Sequence, residues 1–442
     1  MECKTSRPGN VRRSPIIDTR LIRRTRSSWV LFLTVLLTGS VLPDKASALQ
    51  NGSCEREGAA HLDLAYSRWT SLFRAPAGSA EMKGQAEAIL REAFAVEAIS
   101  ARILGAEWRR LHPRDRRRFT DALVRALSDY FFPYFEASES LPHLRPANEE
   151  WRRRGEAVDA RYWLMGPGLR EWFTLRLVEG EDGSCQILNI HKEGRSLLKS
   201  LGSRVEEALD DYSFPYMIAE LGGYDTLVLE DFEDDEPGTL PVGWSWRDGD
   251  SDENKPYRVR REEGGQYLES TDRGESVILG IERPWNLNEF PYVSFRVRVN
   301  RIPEGADERD DKRVDSAAGI YFTLNKTFFG TIPESVKYVW SSTQPVGTAV
   351  QRDGIGRPWQ VVFGTGEEGL GEWRTYVFDV RQAYIDTFGG RPPSRALGVG
   401  VLSDANSMRS EAFADYDDFL ALRRAPPGVT SGVLRIVPPV RR

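Results

Sequence analysis

The chain has 442 residues, 40% of them hydrophobic and 29% charged, with a formal net charge of −6. That length calls for two or three domains, and that composition excludes wholesale disorder. The first 48 residues belong to no domain. A basic segment ending in Arg23, Arg24 and Arg26 precedes the uncharged run 27–43, and Ala46, Ser47 and Ala48 follow. This is the order of a secretory signal peptide, so cleavage after Ala48 is expected; an uncleaved anchor is the alternative, although 17 uncharged residues are marginal for a bilayer span. The leader's nine Lys/Arg and three Asp/Glu leave 51 against 63 in the remainder, −12 rather than −6. An exported acidic protein neutralises few phosphates, which argues against nucleic acid as a partner.

Cys3 leaves with the leader, so Cys54 and Cys185 form the one pair available in an oxidising compartment. A disulfide between them is expected, tying the start of the first domain to its last strand; two buried thiols are the alternative.

Residues 55–215 read first as helices. One is expected over Met82–Leu104, presenting Ile89, Ala93, Ile99 and Ile103. Pro113 suits a first helical turn, and Phe119, Leu123, Ala126, Leu127, Tyr130 and Phe131 then recur as the apolar stripe of an amphipathic helix. Its start overlaps a basic stretch, six arginines between Arg109 and Arg118 with Asp115 the lone acid. Next come "RYWLMG" (161–166) and "REWFTLRLVEG" (170–180) as a hairpin. "CQILNIHKEGRSLL" follows as a third strand entering a helix at Leu197–Leu209. Helices then antiparallel strands make an α+β domain, helices packed on a curved antiparallel sheet.

From about Thr226 to residue 423 the texture changes. "YVSFRVRVN" (292–300) alternates Val293, Phe295, Val297 and Val299 with polar residues, and similar runs recur between Gly, Pro and Asp turns. Ten or so strands with almost no helix predict an all-β sandwich or jelly roll, followed by a Pro-rich tail at 424–442.

The segment "AILREAFAVEAISARILGAEWRRLHPRDRRRFTDALVRALSDYF", with "ILNIHKEGRSLLKSLGSRVEEAL" after it, resembles the MlaC or toluene-tolerance family of periplasmic phospholipid carriers. The resemblance runs through Leu104, Gly105, Trp108, Phe119, Leu123, Leu127, Tyr130, Glu193, Gly194 and Ser196. Where that family usually has Trp and Asp, this sequence has Cys185 and Asn189. The resemblance implies a lipid-binding protein of the cell envelope, not an enzyme, with phospholipid as ligand and an envelope transporter or membrane surface as partner. Two acyl chains of about 15 methylenes, at ~0.8 kcal/mol per buried CH₂, represent roughly 24 kcal/mol of water avoidance. Such a cargo needs an apolar cavity, and Trp108, Phe119, Leu123, Leu127, Tyr130, Phe131, Trp163, Phe173 and Leu175 are its candidate lining. The arginine stretch is then the solvated outer face of a helix, and in the functional version Arg116, Arg117 and Arg118 meet anionic headgroups.

The segment Leu229–Leu422 is similar to a bacterial domain-of-unknown-function family (DUF 3047), through stretches such as "IPEGADERDDKRVDSAAGIYF" and "VGVLSDANSMRSEAFADYDDFLAL". Its opening "LEDFE" and closing "DYDDFLAL" also look like carbohydrate-binding jelly rolls, whose first and last strands pair. No cofactor is required. Asp231, Glu233, Asp404, Asp417 and Asp418 are candidates for a structural Ca²⁺, against the alternative of surface acids at strand ends. "DGDSDEN" (248–254) fails the calcium-loop template, with Glu253 where Gly is needed and Val259 where Glu is needed. All four histidines, His61, His112, His143 and His191, precede the β-domain, which excludes Ser-His and Cys-His nucleophile chemistry there. Paired carboxylates such as Asp307 and Asp315 leave hydrolysis open. The alternative function is therefore a carbohydrate-binding or carbohydrate-cleaving β-sandwich with a degenerate carrier domain. An exposed platform using Trp244, Trp246, Trp285, Trp340 or Trp359 would favour a glycan partner.

Overall fold

The computed structural model describes residues 53–72, 79–136, 143–146, 151–166, 169–246, 255–327, 330–427 and 435–439. The leader and "DGDSDEN" lie outside the described residues. The chain forms two compact units. One holds the residues up to Gly105 and Leu123–Leu201; the other holds Ala106–Ala122 and Gly202–Arg442.

In the first unit, helices α1 (Ser53–Leu72), α2 (Ser79–Ala93) and α3 (Val96–Leu104) all touch strand β5 (Cys185–Lys192). The single helix expected over Met82–Leu104 is two. Phe94 bridges to Ile187, and the Ala95 N–H donates to the Ile187 carbonyl at 3.0 Å instead of continuing the helical ladder. Gly105, at φ 58°, closes α3 in a left-handed conformation that suits glycine.

The sheet runs β1 (His143–Pro146), β3 (Ala157–Gly166), β4 (Leu169–Glu179), β5, β6 (Arg195–Ser196), with β2 (Arg152–Arg154) also on β3. Its registered pairs are antiparallel. Alternation along β3 and β4 puts Val158, Ala160, Tyr162, Phe173, Leu175 and Leu177 on the buried face. Asp159, Arg161, Trp163, Trp172, Thr174 and Arg176 take the other. Buried Asn189 joins sheet to helix. Its side chain donates to Ser196 Oγ at 2.9 Å and accepts from the Leu198 N–H at 3.0 Å, at the start of α6 (Leu197–Asp211).

Cys54 and Cys185 are disulfide-bonded, with Cα atoms 5.1 Å apart across 131 residues. They pack with Val158 and Trp151, and a Cβ on Gly58 would sit 2.9 Å from the Trp151 ring, so the helix passes closely there.

In the second unit stand α4 (Glu107–Arg110), the first turns of α5 (Pro113–Glu136), α7 (Phe214–Leu221) and a sandwich of two sheets. One sheet runs β17 (Arg374–Asp379), β12 (Tyr292–Arg301), β19 (Ala412–Leu422), β10 (Gly265–Asp272), β9 (Tyr257–Glu262), with β7 (Thr226–Glu230) pairing β19. The expected pairing of opening and closing strands is thus present, with Leu227 opposite Ala421. The other sheet runs β20 (Arg435–Ile436), β15 (Thr348–Gln351), β16 (Trp359–Thr365), β14 (Ile332–Ser341), β13 (Ser316–Thr327), β18 (Arg395–Asp404), β11 (Leu279–Asn286), β8 (Ser245–Trp246). Phe295 sits between the sheets, its ring 5.3 to 6.3 Å from those of Phe322, Tyr338 and Phe363. The expected all-β sandwich and the α+β first domain are both present.

Candidate functional site

The first candidate is the buried face of the N-terminal sheet. Tyr162 and Phe173, a cross-strand pair, stack with ring centroids 6.2 Å apart, and Leu175 and Leu177 continue the row; helical Leu62, Leu90 and Ile99 are buried in the same unit. Of the nine residues expected to line a cavity, Leu123, Leu127, Phe173 and Leu175 are buried in this unit. Phe119 is buried in the other unit, 6.4 Å from both Trp108 and Phe214. The Tyr130 and Phe131 side chains lie outside the described residues.

Trp163 corrects the expectation. It stands opposite Trp172 on the reverse face of the sheet, and its neighbour Tyr162 takes the inner position. Burial pushes the Tyr162 phenol well above its usual range, and its Oη has no hydrogen-bond partner among the described residues. It is a buried polar atom, and the Asp63 carboxylate pushes the phenol further up.

The arginine stretch is only partly the wet face expected. Arg117 is exposed, but Arg114 donates to both carboxylate oxygens of Asp231 at 2.9 and 2.8 Å, and Arg118 adds a bond at 2.7 Å. Arg116 donates to the Arg109 carbonyl at 2.9 Å and lies over the Trp108 ring. Asp234 joins the group through His112 at 3.2 Å and Arg114 at 3.7 Å.

This bears on the five calcium candidates. Among the described residues, no three or more His, Cys, Asp or Glu side chains are arranged to hold a metal ion. Asp231 is neutralised by Arg114 and Arg118, Asp417 accepts from Arg296 at 2.6 Å, and Asp418 lies 3.7 Å from the same guanidinium. Glu233 accepts the Gln266 N–H at 2.8 Å, and Asp404 belongs to the other sheet. The acids meet arginines and backbone donors where a calcium site would offer them to a cation.

In the β-unit, Asp307 is held by Arg309 at 3.0 and 2.7 Å, and Asp315 accepts the Ser407 and Met408 N–H groups at 3.1 and 2.7 Å. The residue between them that sequence reading passed over is Glu308. It is fully buried, accepts from Ser341 at 2.6 Å, and is pushed up to about 7 by burial. Lys337, also buried, is lowered by burial despite Asp404 and Glu308 nearby; it donates to Ser316 at 3.2 Å and stands between Tyr321 and Gln360 in register. One oxygen each of Glu308, Gln360 and Asp404 lacks a partner among the described residues.

The other sheet carries a cleft of about 330 Å³, lined by Tyr267, Glu269, Arg298, Asn300, Phe413 and Asp415 among others. Asp415 accepts from Arg298 and Asn300 at 2.7 and 2.8 Å. Trp373, beside it, lies 4.6 Å from the Arg298 guanidinium and 5.5 Å from the Tyr267 ring. Of the tryptophans expected as a sugar platform, Trp244, Trp285 and Trp340 are buried and Trp359 packs on the core; the Trp246 side chain lies outside the described residues.

Residues 74–222 match the family described as "MlaC protein", and residues 243–420 match the family described as "Protein of unknown function (DUF3047)". Both matches fall in the order the resemblances implied. No curated protein matches the chain in sequence. Among solved structures, a phospholipid-binding protein from Ralstonia solanacearum, in complex with a phospholipid, is 11% identical; the alignment covers 34% of this chain and 86% of that one, with a TM-score of 0.29. A family 30 carbohydrate-binding module of a cellulosomal cellulase from Clostridium thermocellum is 11% identical over 44% of this chain and 96% of that one, with a TM-score of 0.26. The xyloglucanase domain of a type three effector from Sinorhizobium fredii, in complex with cellobiose, is 9% identical over 41% and 94%, with a TM-score of 0.23.

Proposed function

We propose that this is an exported, non-enzymatic phospholipid-binding protein of the cell envelope, in which an MlaC-family region carries or senses lipid and the β-sandwich docks it or recognises a second ligand. The observation that carries the reading is the family match over residues 74–222. The apolar inner face from Val158 to Leu177 supports it, because replacing water around acyl chains demands such a surface. Tyr162 adds a hydroxyl inside that interior that an ester oxygen would satisfy. Among the described residues, no helix is long and apolar enough to cross a membrane. An envelope transporter or membrane surface is the partner this reading calls for. Native mass spectrometry of the purified protein, followed by lipid extraction, tests it. A discrete phospholipid mass is expected, and a bare chain that takes up no phospholipid from vesicles would sink the reading.

The cleft on the β-sandwich favours a second reading for that unit, recognition of a neutral glycan. Its charges are matched within the protein, leaving carboxylate and amide oxygens beside the aromatic rings of Tyr267 and Phe413, a set that suits hydroxyl groups and sugar faces. Calorimetry with neutral oligosaccharides tests it, and equal heats from Tyr267→Ala and the parent chain would reject it.

A further inference from the structure

The reverse face of the β3–β4 hairpin is not explained by a lipid interior, because it points away from it. Alternation along the two strands delivers Arg161 and Trp163 from β3, and Arg170 and Trp172 from β4, to one outward surface. The tryptophans are direct cross-strand partners. The Arg161 guanidinium lies 4.8 Å from the Trp172 ring centre, and that of Arg170 lies 5.1 Å from the Trp163 ring centre. Two cation–π pairs thus cross on four residues, where about one per 70–80 residues is ordinary. Trp172 is 42% exposed, and Arg161 and Arg170 are exposed as well. Neither arginine has a carboxylate partner among the described residues.

The surroundings extend the positive charge. Strand β2 places exposed Arg152 and Arg154 on the same side as Asp159. The one outward acid of β3, Asp159, is already matched by Arg154 at 3.0 Å and Arg176 at 2.8 Å. In an otherwise acidic protein, this is a basic and aromatic face.

We propose that the outward face of the β3–β4 hairpin, centred on Arg161, Trp163, Arg170 and Trp172, is a docking surface for an anionic lipid bilayer. Indole rings with one apolar side and one N–H donor settle at the headgroup level, where neither bulk water nor hydrocarbon suits them. Guanidinium groups bind phosphate through paired N–H bonds, and stacking on tryptophan holds them ready, with no competing carboxylate among the described residues. Each basic residue near an anionic surface adds roughly 1 kcal/mol, so Arg161 and Arg170 together account for about a 30-fold difference in partitioning at moderate salt. The charge complementarity selects a bilayer bearing phosphatidylglycerol or a similar acidic lipid over a neutral one. This deepens the phospholipid-carrier reading and rests on it for the reason a bilayer is visited.

The test uses the full exported chain. Flotation with vesicles of phosphatidylglycerol and phosphatidylcholine, against vesicles of phosphatidylcholine alone, measures partitioning, and the emission shift of tryptophan reports burial of the rings. The parent protein is expected to float with the acidic vesicles and to lose that association as salt rises. Arg161→Gln with Arg170→Gln should lower partitioning at least tenfold, Arg161→Lys with Arg170→Lys should keep most of it, and Trp163→Ala with Trp172→Ala should abolish the emission shift. Thermal unfolding of each variant establishes that it is folded. Equal flotation with both vesicle types, or folded Gln and Ala variants that float like the parent, would overturn the proposal. So would retention on an envelope protein with no binding to acidic vesicles. Phospholipid extracted from the same samples separates the two readings. Cargo lost with flotation intact removes the carrier and leaves the docking surface.

Discussion

Arg114 grips Asp231 through both terminal nitrogens, at 2.9 and 2.8 Å, across 117 residues of sequence. Arg118, one helical turn on, binds the same carboxylate at 2.7 Å. A paired, partly buried guanidinium–carboxylate contact of this kind exceeds an ordinary surface ion pair, because its geometry is fixed and its groups are partly desolvated. Asp231→Asn should cost about 1–3 kcal/mol, since it removes the charge and one of the two oxygens that Arg114 and Arg118 share. A double-mutant cycle of Arg114→Gln with Asp231→Asn, read by denaturant unfolding, should give a coupling of about 1 kcal/mol or more. Additive single mutants would show that the contact contributes nothing specific.

Glu308 predicts a pH dependence of stability. Burial pushes its carboxyl up to about 7, above the value of an unfolded chain, with Ser341 and Lys337 acting in the opposite direction. The folded state therefore prefers the protonated acid. Its stabilising contribution is fully present below about pH 4, and it is lost as the pH rises through 7. The loss by pH 8.5 is about 3 kcal/mol, since each tenfold difference in proton affinity between the folded and unfolded chain is worth about 1.4 kcal/mol. Glu308→Gln copies the neutral acid, so it should match the parent at pH 4 and be the more stable protein at pH 8.5. Chemical denaturation at the two pH values checks this, and identical slopes with pH would refute it.

The contrast between Tyr162 and Trp163 shows how far the sequence could be read. "RYWLMG" announces a strand, but aromatic residues at both 162 and 163 satisfy the buried and outward faces equally. A one-residue slip exchanges the faces, and only the pairing of Tyr162 with Phe173 across the hairpin decides. The apolar stripe of α5 was legible because helical spacing is local, whereas the pairing of the sandwich's end strands was expected only from the resemblance of the layout to carbohydrate-binding jelly rolls. Glu308 was not legible, because "EGADERDDKRVD" reads as a solvated charge run until its tertiary packing buries it. The Arg114–Asp231 contact joins charges that each look like ordinary surface until folding brings them together. The break between α2 and α3 depends on the carbonyl of Ile187, nearly a hundred residues away.

The disulfide closes a loop of 131 residues between the first helix and β5. In the chain-entropy account, a crosslink of that span removes up to roughly 4–5 kcal/mol of unfolded-state freedom. Cys54→Ala with Cys185→Ala should therefore lower the midpoint of the first unit by several degrees, with the β-sandwich transition nearly unchanged. Calorimetry with and without reductant checks this. A reduced protein that melts like the oxidised one would show that Val158 and Trp151 already hold α1 in place.

Tyr162 allows stability and ligand retention to be pulled apart. A buried hydroxyl with no partner costs about 1–3 kcal/mol in desolvation, while its ring keeps the stacking against Phe173. Tyr162→Phe removes only the oxygen, so the ligand-free protein should be no less stable and should gain up to about 1 kcal/mol. If the hydroxyl meets an ester oxygen of bound lipid, the same change should cut retained phospholipid about fivefold, the worth of one net hydrogen bond. The two readouts, melting of the delipidated protein and phospholipid per chain, are therefore expected to move in opposite directions. A variant that melts several degrees lower would point to a hidden structural partner for the phenol. One that holds its full complement of lipid would remove Tyr162 from the binding surface and leave the apolar row of Phe173, Leu175 and Leu177 as the contact for acyl chains.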